Sequence, residues 1–302
     1  MTLKSDWYEA DSRFIPGHYQ PATLIDLALS RGIDSHRLLK GTGLFYEDIV
    51  AGKTRLSPQQ CFALIANAQR QMDADDTSFL FGQRLFPGHY GAASHALRHA
   101  QNLHQALEIL LRQQALLSPL LTPRLELDEH FAYLYWLDSC GAGEQQRFLL
   151  EASMTALVAM SQLLGNARLP WPGASPIAVQ VAQQEAAGQL AALGMQASLL
   201  DRLHQHLRDN VREAASLEQV AQAFAMSPAT LKRKLHKHGT SFQAQHDLAR
   251  KHVALYLYQI KGMSNEAVAD YLNFNDPANF RRSFKRWTGS TPTLIQRLFN
   301  FD

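Results

Sequence analysis

Apolar positions recur at helical spacing through most of the first 120 residues. From Ala22 to Arg31, Leu24, Leu27 and Leu29 keep that spacing until Gly32 stops it. Ser57-Pro58 supplies an N-cap and a proline at the first helical position, which predicts a helix through about Gln71. Phe86-Pro-Gly-His-Tyr-Gly91 reads as a loop, and Ala92–Ala100 and Leu103–Leu117 as further helices. The second of these keeps Leu103, Ala106, Leu107, Leu110 and Leu111 on one side. The period then drops to two. Leu121–Leu137 predicts two strands around a turn at Asp128-Glu129, with Phe131, Tyr133 and Tyr135 facing one way and Leu134 and Trp136 the other. Glu144–Leu164 reads as a long apolar helix. The breaker run Leu169–Pro176 precedes a short strand, Ile177–Val181, and a helix from Glu185 to Leu207. After about Ala214 no strand signal remains.

The last 90 residues contain one unit twice. The first copy runs from Ser216 to Gly239 and the second from Ser264 to Gly289. Ser216 matches Ser264, Val220-Ala221 matches Val268-Ala269, Phe224 matches Leu272, and Met226 matches Phe274. Leu231, Arg233 and Leu235 then match Phe280, Arg282 and Phe284. Each copy reads as helix, tight turn, helix. Ser216 with Gln219 forms a capping box, and Ser227-Pro228 and Asp276-Pro277 each start the second helix of a copy. In those second helices Leu231 and Leu235, or Phe280 and Phe284, point inward at i, i+4. That turns Lys232, Arg233 and His236, and Arg281, Arg282 and Lys285, outward. Between the copies, Thr240-x-x-Gln243 caps a long helix, about Ser241–Ile260. A short helix with an anchored N-terminus and a basic outer face suits the DNA major groove. Two such units on one face of B-DNA would sit about 34–36 Å apart.

The expected fold is thus an α+β N-terminal domain joined to an all-α C-terminal domain with two helix-turn-helix units. The expected divisions are residues 1–190 as the first domain, 191–214 as a helical linker, and 215–302 for DNA binding.

Charge sharpens the picture. The chain of 302 residues carries a net charge of only +2, but the sign is unevenly spread. Ser216–Asp302 holds 12 Lys and Arg against 6 Asp and Glu, a balance of +6, which leaves −4 on the remainder. A basic tail on an acidic body points to a polyanionic partner. No apolar run reaches the ~18–20 residues of a membrane span. Met1–Asp11 is polar, without the apolar core of a signal peptide. The expectation is a cytoplasmic protein without membrane contact. Cys61 and Cys140 are far apart in sequence and suggest neither a disulfide nor a Cys-based metal site.

These residues resemble the C-terminal domain of the AraC/XylS family of bacterial transcription regulators, over about Ser216–Leu298. The phenylalanine-rich run Asn279–Thr288, followed by Gly289-Ser-Thr-Pro292, carries the resemblance, as do Arg250 and Ala254 in the connecting helix. That family usually has glycine in each turn, where this chain has Ala225 and Asn273. The resemblance implies that Ala229, Lys232 and Arg233 meet one groove and Asn279 and Arg282 the next, with Asp276 and Arg281 at its edge. Lys237 and Arg286 are then phosphate contacts. It further implies double-stranded DNA and RNA polymerase as partners, a homodimer, and a small-molecule effector. The front half is similar to the arabinose-binding-like N-terminal domain of a subset of these regulators, through Phe86–Gly91, Leu116–Leu120 and Tyr133–Trp136, which implies that residues 1–190 sense a ligand and dimerise.

Other chemistry finds less support. His95 and His99 stand at i, i+4, a spacing that holds a metal, but no further ligand lies nearby in sequence, and no metal or cofactor is expected. There is no G-x-S-x-G, P-loop or G-x-G-x-x-G, so no enzymatic activity is expected. Tyr133, Tyr135 and Trp136 read either as a ligand-pocket wall or as core, and His89 and Tyr90 either face the same cavity or shape a loop. The alternative for the front half is a dimerisation or partner-protein module that takes no ligand.

Overall fold

A computed structural model describes residues 7–86, 88–127, 132–164, 174–195, 197–213 and 215–299. The chain divides into two compact units, Met1–Arg124 with Trp136–Leu199, and Leu125–Tyr135 with Leu200–Asp302.

The first unit is mainly helical. In order it contains β1 (Ile15–Pro16), α1 (Gln20–Ser30), α2 (Ser35–Leu39), α3 (Tyr46–Val50), β2 (Arg55–Leu56), α4 (Pro58–Met72) and α5 (Thr77–Leu85). There follow α6 (Ala92–Arg98), α7 (Leu103–Arg112) and α8 (Gln114–Leu117). β3 (Leu121–Leu127) and β4 (Ala132–Asp138), whose residues 125–127 and 132–135 belong to the second unit, precede α9 (Gln146–Leu164) and α10 (Pro176–Leu193). β1 pairs antiparallel with β2, Ile15 opposite Leu56, and β3 pairs with β4. Strand structure among the described residues is thus slighter than the α+β expectation. Leu24 and Leu27 of α1, Leu64 and Ile65 of α4, and Phe81 of α5 are buried in one core with Phe148 and Leu149 of α9. Each such side chain contributes roughly 1.5–3 kcal/mol on burial. Gly82 allows the close approach of α5 to α9, since a Cβ there would lie 2.5 Å from the Ala152 carbonyl oxygen.

Local capping explains where helices begin. Ser57 accepts from the Gln60 backbone N–H while the Gln60 side chain returns to the Ser57 N–H, the reciprocal pair that starts α4. The same logic corrects the strand expected at Ile177–Val181. Ser175 accepts from Ala178 N–H and Pro176 takes the first turn, so this segment opens helix α10. The expected helix from Glu185 to Leu207 is interrupted, because Gly194 ends α10 in the left-handed region at φ 66°. The helix expected over Leu103–Leu117 breaks at Gln113, between α7 and α8. The expected turn at Asp128-Glu129, residue Phe131, Pro87 of the loop and most of the Leu169–Pro176 run lie outside the described residues.

The second unit holds α11 (Leu199–Asp209), α12 (Leu217–Ala223), α13 (Pro228–Lys237), α14 (Phe242–Gln259), α15 (Asn265–Tyr271), α16 (Pro277–Thr288) and α17 (Pro292–Phe299). No strand follows residue 215 among the described residues. The unit has two small cores. Leu200, Leu203 and Leu207 of α11 pack with Val220, Leu231, Leu235 and Ala249. Val253, Leu257 and Tyr258 pack with Val268, Leu272, Phe280 and Phe284. α14 contributes to both and is about 27 Å long at 1.5 Å per residue for its 18 residues. Its N-cap is Ser241, which accepts from Ala244 N–H, and not Thr240 as the sequence suggests. Thr240 instead accepts from the Gln245 side chain.

The two helix pairs turn in the same way. Phe224 N–H donates to the Val220 carbonyl at 3.1 Å and Met226 N–H to Ala221 at 2.9 Å; Leu272 to Val268 is 3.0 Å and Phe274 to Ala269 is 2.9 Å. Ala225 and Asn273 both sit in the left-handed region, at φ 50° and 57°. Asparagine tolerates this conformation, whereas alanine is strained there by about 1–2 kcal/mol. Ala225→Gly is therefore expected to stabilise the protein by about 1 kcal/mol, the relief of strain outweighing the extra freedom of an unfolded glycine. Urea unfolding of the two proteins checks it; an unchanged or lower midpoint would contradict the strain.

A buried polar group lies beside the first pair. His204 Nε2 and His252 Nδ1 are 3.0 Å apart, and the Tyr135 ring lies 4.6 Å from that of His252. Arg208 donates to the Tyr135 hydroxyl at 3.1 Å and pairs with Glu126. Burial first, then His204, Lys251 and Arg208, hold His252 down at about 2. The unfolded chain, titrating near 6.5, binds a proton that the folded chain refuses. The stability contributed is complete above pH 6.5 and declines as pH falls towards 2. The urea midpoint of the full chain is expected to drop from pH 7.5 to 5, with a shallower slope in His252→Gln; an identical slope in both proteins would contradict this.

Candidate nucleic-acid interface

The second helix of each pair presents its cations through its own periodicity. In α13, Leu231 and Leu235 are fully buried, so Ala229, Lys232, Arg233 and Lys237 fall on the exposed side. In α16, Phe280 and Phe284 are fully buried, and Asn279, Arg281, Arg282, Lys285 and Arg286 are exposed. Phe280 lies 5.4 Å from Phe274 and 5.7 Å from Phe284, ring to ring, which fixes the rotation of α16 about its axis. Both helix starts are anchored. Ser227 accepts from Thr230 N–H, and Asp276 accepts from Ala278 N–H at 2.9 Å. Each cap satisfies one backbone donor of its first turn, and the remaining N–H groups give that end a partial positive charge suited to phosphate.

Side-chain partners distinguish the exposed cations. Arg282 donates to the Asn279 side-chain oxygen, which couples the two residues one turn apart. Arg286 is paired with Asp247 of α14 at 3.0 Å. Asp276 is half-buried and already serves as the α16 cap. The sequence reading missed the Arg286–Asp247 and Asn279–Arg282 pairs. The second has a signal, an i, i+3 spacing on a helix, while the first joins residues 39 apart. Arg250 binds the carbonyl of Leu272 and lies 4.7 Å above the Phe274 ring, so this α14 arginine braces the second turn. Ala254 is fully buried where α14 meets the second core.

The five aromatic and histidine candidates of the front half do not gather at one place. Tyr90 and Trp136 line one cavity of the first unit. Tyr133 and Tyr135 line a groove within the second unit, with Lys251 and Leu255 of α14. His89 is exposed. The rings of His95 and His99 are 5.6 Å apart, and no group of three metal-ligating side chains occurs among the described residues. Both cysteines are free and buried. No described helix is long and apolar enough to cross a membrane.

Comparison with known proteins decides the family. The model of the arabinose-binding domain of AraC transcription regulators, N-terminal, matches residues 32–175, and a helix-turn-helix domain model matches residues 220–297. The chain belongs to the AraC family. It is a DNA-binding transcriptional regulator of that family, and the helix-turn-helix match runs from within α12 into α17. Among AraC-family relatives, it is 26% identical to the ornithine utilization regulator of Pseudomonas aeruginosa, over 93% of this chain and 96% of that one. It is 30% identical to the transcriptional regulator GadX of Escherichia coli over 36% of this chain and 41% of that one. The solved structure of transcriptional regulator CdpR from Pseudomonas aeruginosa matches at 16% identity and a TM-score of 0.35, covering 92% of this chain and 98% of that one.

Proposed function

We propose that this AraC-family protein reads a specific DNA site through two helix-turn-helix units, α12–α13 and α15–α16, which enter adjacent major grooves. The observation that carries the reading is the repetition of one turn geometry, Ala225 and Asn273 alike, ahead of two helices with buried apolar faces and exposed cations. Ala229, Lys232 and Arg233 meet the first groove. Asn279 and Arg282 meet the second, with Asp276 and Arg281 at its edge. Arginine grips guanine O6 and N7 with two bonds, whereas Lys237 and Arg286 suit phosphate oxygens. Arg286 would exchange its Asp247 partner for a phosphate oxygen on binding. The first unit senses a small molecule and dimerises, and the DNA-bound dimer contacts RNA polymerase. An effector acts by binding one arrangement of the regulator better than another.

A second reading makes the first unit a partner-protein module. Met154 and Val158, one turn apart on α9, and Ile177 and Val181 on α10 are exposed apolar side chains. Met154→Lys and Val158→Lys would then abolish association, and no metabolite would raise the melting temperature of the unaltered protein.

DNase footprinting on DNA upstream of the protein's own gene, at near-physiological salt, tests the main reading. The expected result is a protected stretch of about two helical turns per subunit. Protection seen only at low salt and without fixed position would sink it, because that is the signature of phosphate contacts alone.

A further inference from the structure

Two cavities lie side by side in the core of the first unit, of about 50 and 70 Å³. Leu85, Leu117, Ser118 and Ser153 line both, so movement of these few side chains merges them. Together they approach the ~150 Å³ apolar cavity that admits benzene in another protein.

The lining has no Asp, Glu, Lys, Arg or His. Its polar groups are mostly committed. Gln20 Nε2 donates to the Leu117 carbonyl at 2.6 Å, and Ser118 Oγ donates to the Leu121 carbonyl. Burial pushes the Cys61 thiol up to about 12, so it stays neutral. The Ser153 hydroxyl, the Trp136 indole N–H and the Tyr90 hydroxyl remain, and of these three residues Tyr90 is the fully buried one. It is 2% exposed, lines the larger cavity, and its hydroxyl has no hydrogen-bond partner among the described residues. Burial pushes this hydroxyl further up, so it remains a donor. Its ring is seated against Gly88, where an added Cβ would lie 2.2 Å from the ring. A buried donor left unsatisfied is costly, and a ligand acceptor would recover that cost.

We infer that these cavities form the effector site and that the effector is a small, neutral, apolar molecule with one hydrogen-bond acceptor, such as a ketone, met by the Tyr90 hydroxyl. The inference rests on the reading that the first unit takes a small-molecule effector. A sugar or a free amino acid is excluded on desolvation grounds, since its several hydroxyls, or its two charges, would find almost no partners in this lining.

The test measures thermal shifts and titration calorimetry on the full chain, with cyclohexanone, benzene, L-ornithine and L-arabinose as probes. Cyclohexanone and benzene are expected to raise the melting temperature in a concentration-dependent way. Tyr90→Phe, which removes a hydroxyl that no described residue bonds, is expected to weaken cyclohexanone about tenfold and leave benzene within twofold. Ser153→Leu fills the shared wall and is expected to abolish both responses; should it not fold, Tyr90→Phe decides alone. Absence of any shift with cyclohexanone and benzene, or shifts unaltered in both variants, overturns the inference. A response to L-ornithine or L-arabinose but not to cyclohexanone overturns it too, while leaving the effector reading standing.

Discussion

Arg282→Ala is expected to weaken binding to the cognate site by about 5- to 150-fold, the equivalent of 1–3 kcal/mol for a lost bidentate base contact. The loss should be confined to sites carrying the preferred base pair at one position, so that the variant tolerates all four base pairs there almost equally. Arg282 is exposed and presented by a helix whose rotation is fixed by Phe280 and Phe284. Alanine at this position therefore removes a contact without disturbing the fold. Its bond to Asn279 means the two act together, so Asn279→Ala should add less to Arg282→Ala than it costs alone. A binding panel of single-base variants of the site checks this. Uniform weakening across the panel would make Arg282 a phosphate contact.

Phe280→Ala should have the larger effect, about 3–5 kcal/mol of stability. Phe280 is fully buried and its ring neighbours are Tyr258 of α14, Phe274 of the turn and Phe284 of its own helix. The core it serves is small, with ten buried residues among those described. A cavity there cannot be refilled from a larger reservoir of apolar side chains, and a typical domain has only about 5–15 kcal/mol to lose. Circular dichroism during urea unfolding of the full chain should show the second unit melting early, and specific DNA binding should disappear with it. Phe280→Leu, which keeps most of the volume, should restore most of both. A Phe280→Ala protein with an unchanged unfolding curve would contradict the placement of this core.

Much of the second unit was legible because its signals are local. Serine or aspartate before proline marks a helix start within four residues of chain, and Ser227-Pro228 and Asp276-Pro277 behave as that rule requires. The spacing of Leu231 with Leu235, and of Phe280 with Phe284, separated buried from exposed faces without any tertiary information. The same rule was available at Ser175-Pro176, but the short β-branched stretch after it was read as a strand. The cap prevailed because a satisfied N-terminus and a proline preset in φ outweigh a weak strand preference.

Long-range pairings were not legible. His204 and His252 meet across 48 residues, and Arg286 reaches Asp247 across 39. Nothing in the neighbourhood of any of the four residues announces a partner. The alternation put Tyr133 and Tyr135 on one face of the strand and Trp136 on the other, and left pocket wall and core as alternatives; Trp136 lines a cavity of the first unit while Tyr133 and Tyr135 line a groove of the second. Alternation along a strand gives the two faces, but not what each face meets. The cavity around Tyr90 was half visible: the loop Phe86–Gly91 was singled out, but Leu157 and Met160 of α9, which close the cavity, carried no signal beyond helical spacing.

The central claim is that one chain reads two adjacent grooves. Methylation interference at guanine N7 on the footprinted site tests it most directly, because N7 lies in the major groove. Two clusters of interfering guanines, about one helical turn apart for each subunit, are expected, with Arg233→Ala relieving one cluster and Arg282→Ala the other. A single cluster per subunit, or two clusters that both ignore Arg282→Ala, would contradict it.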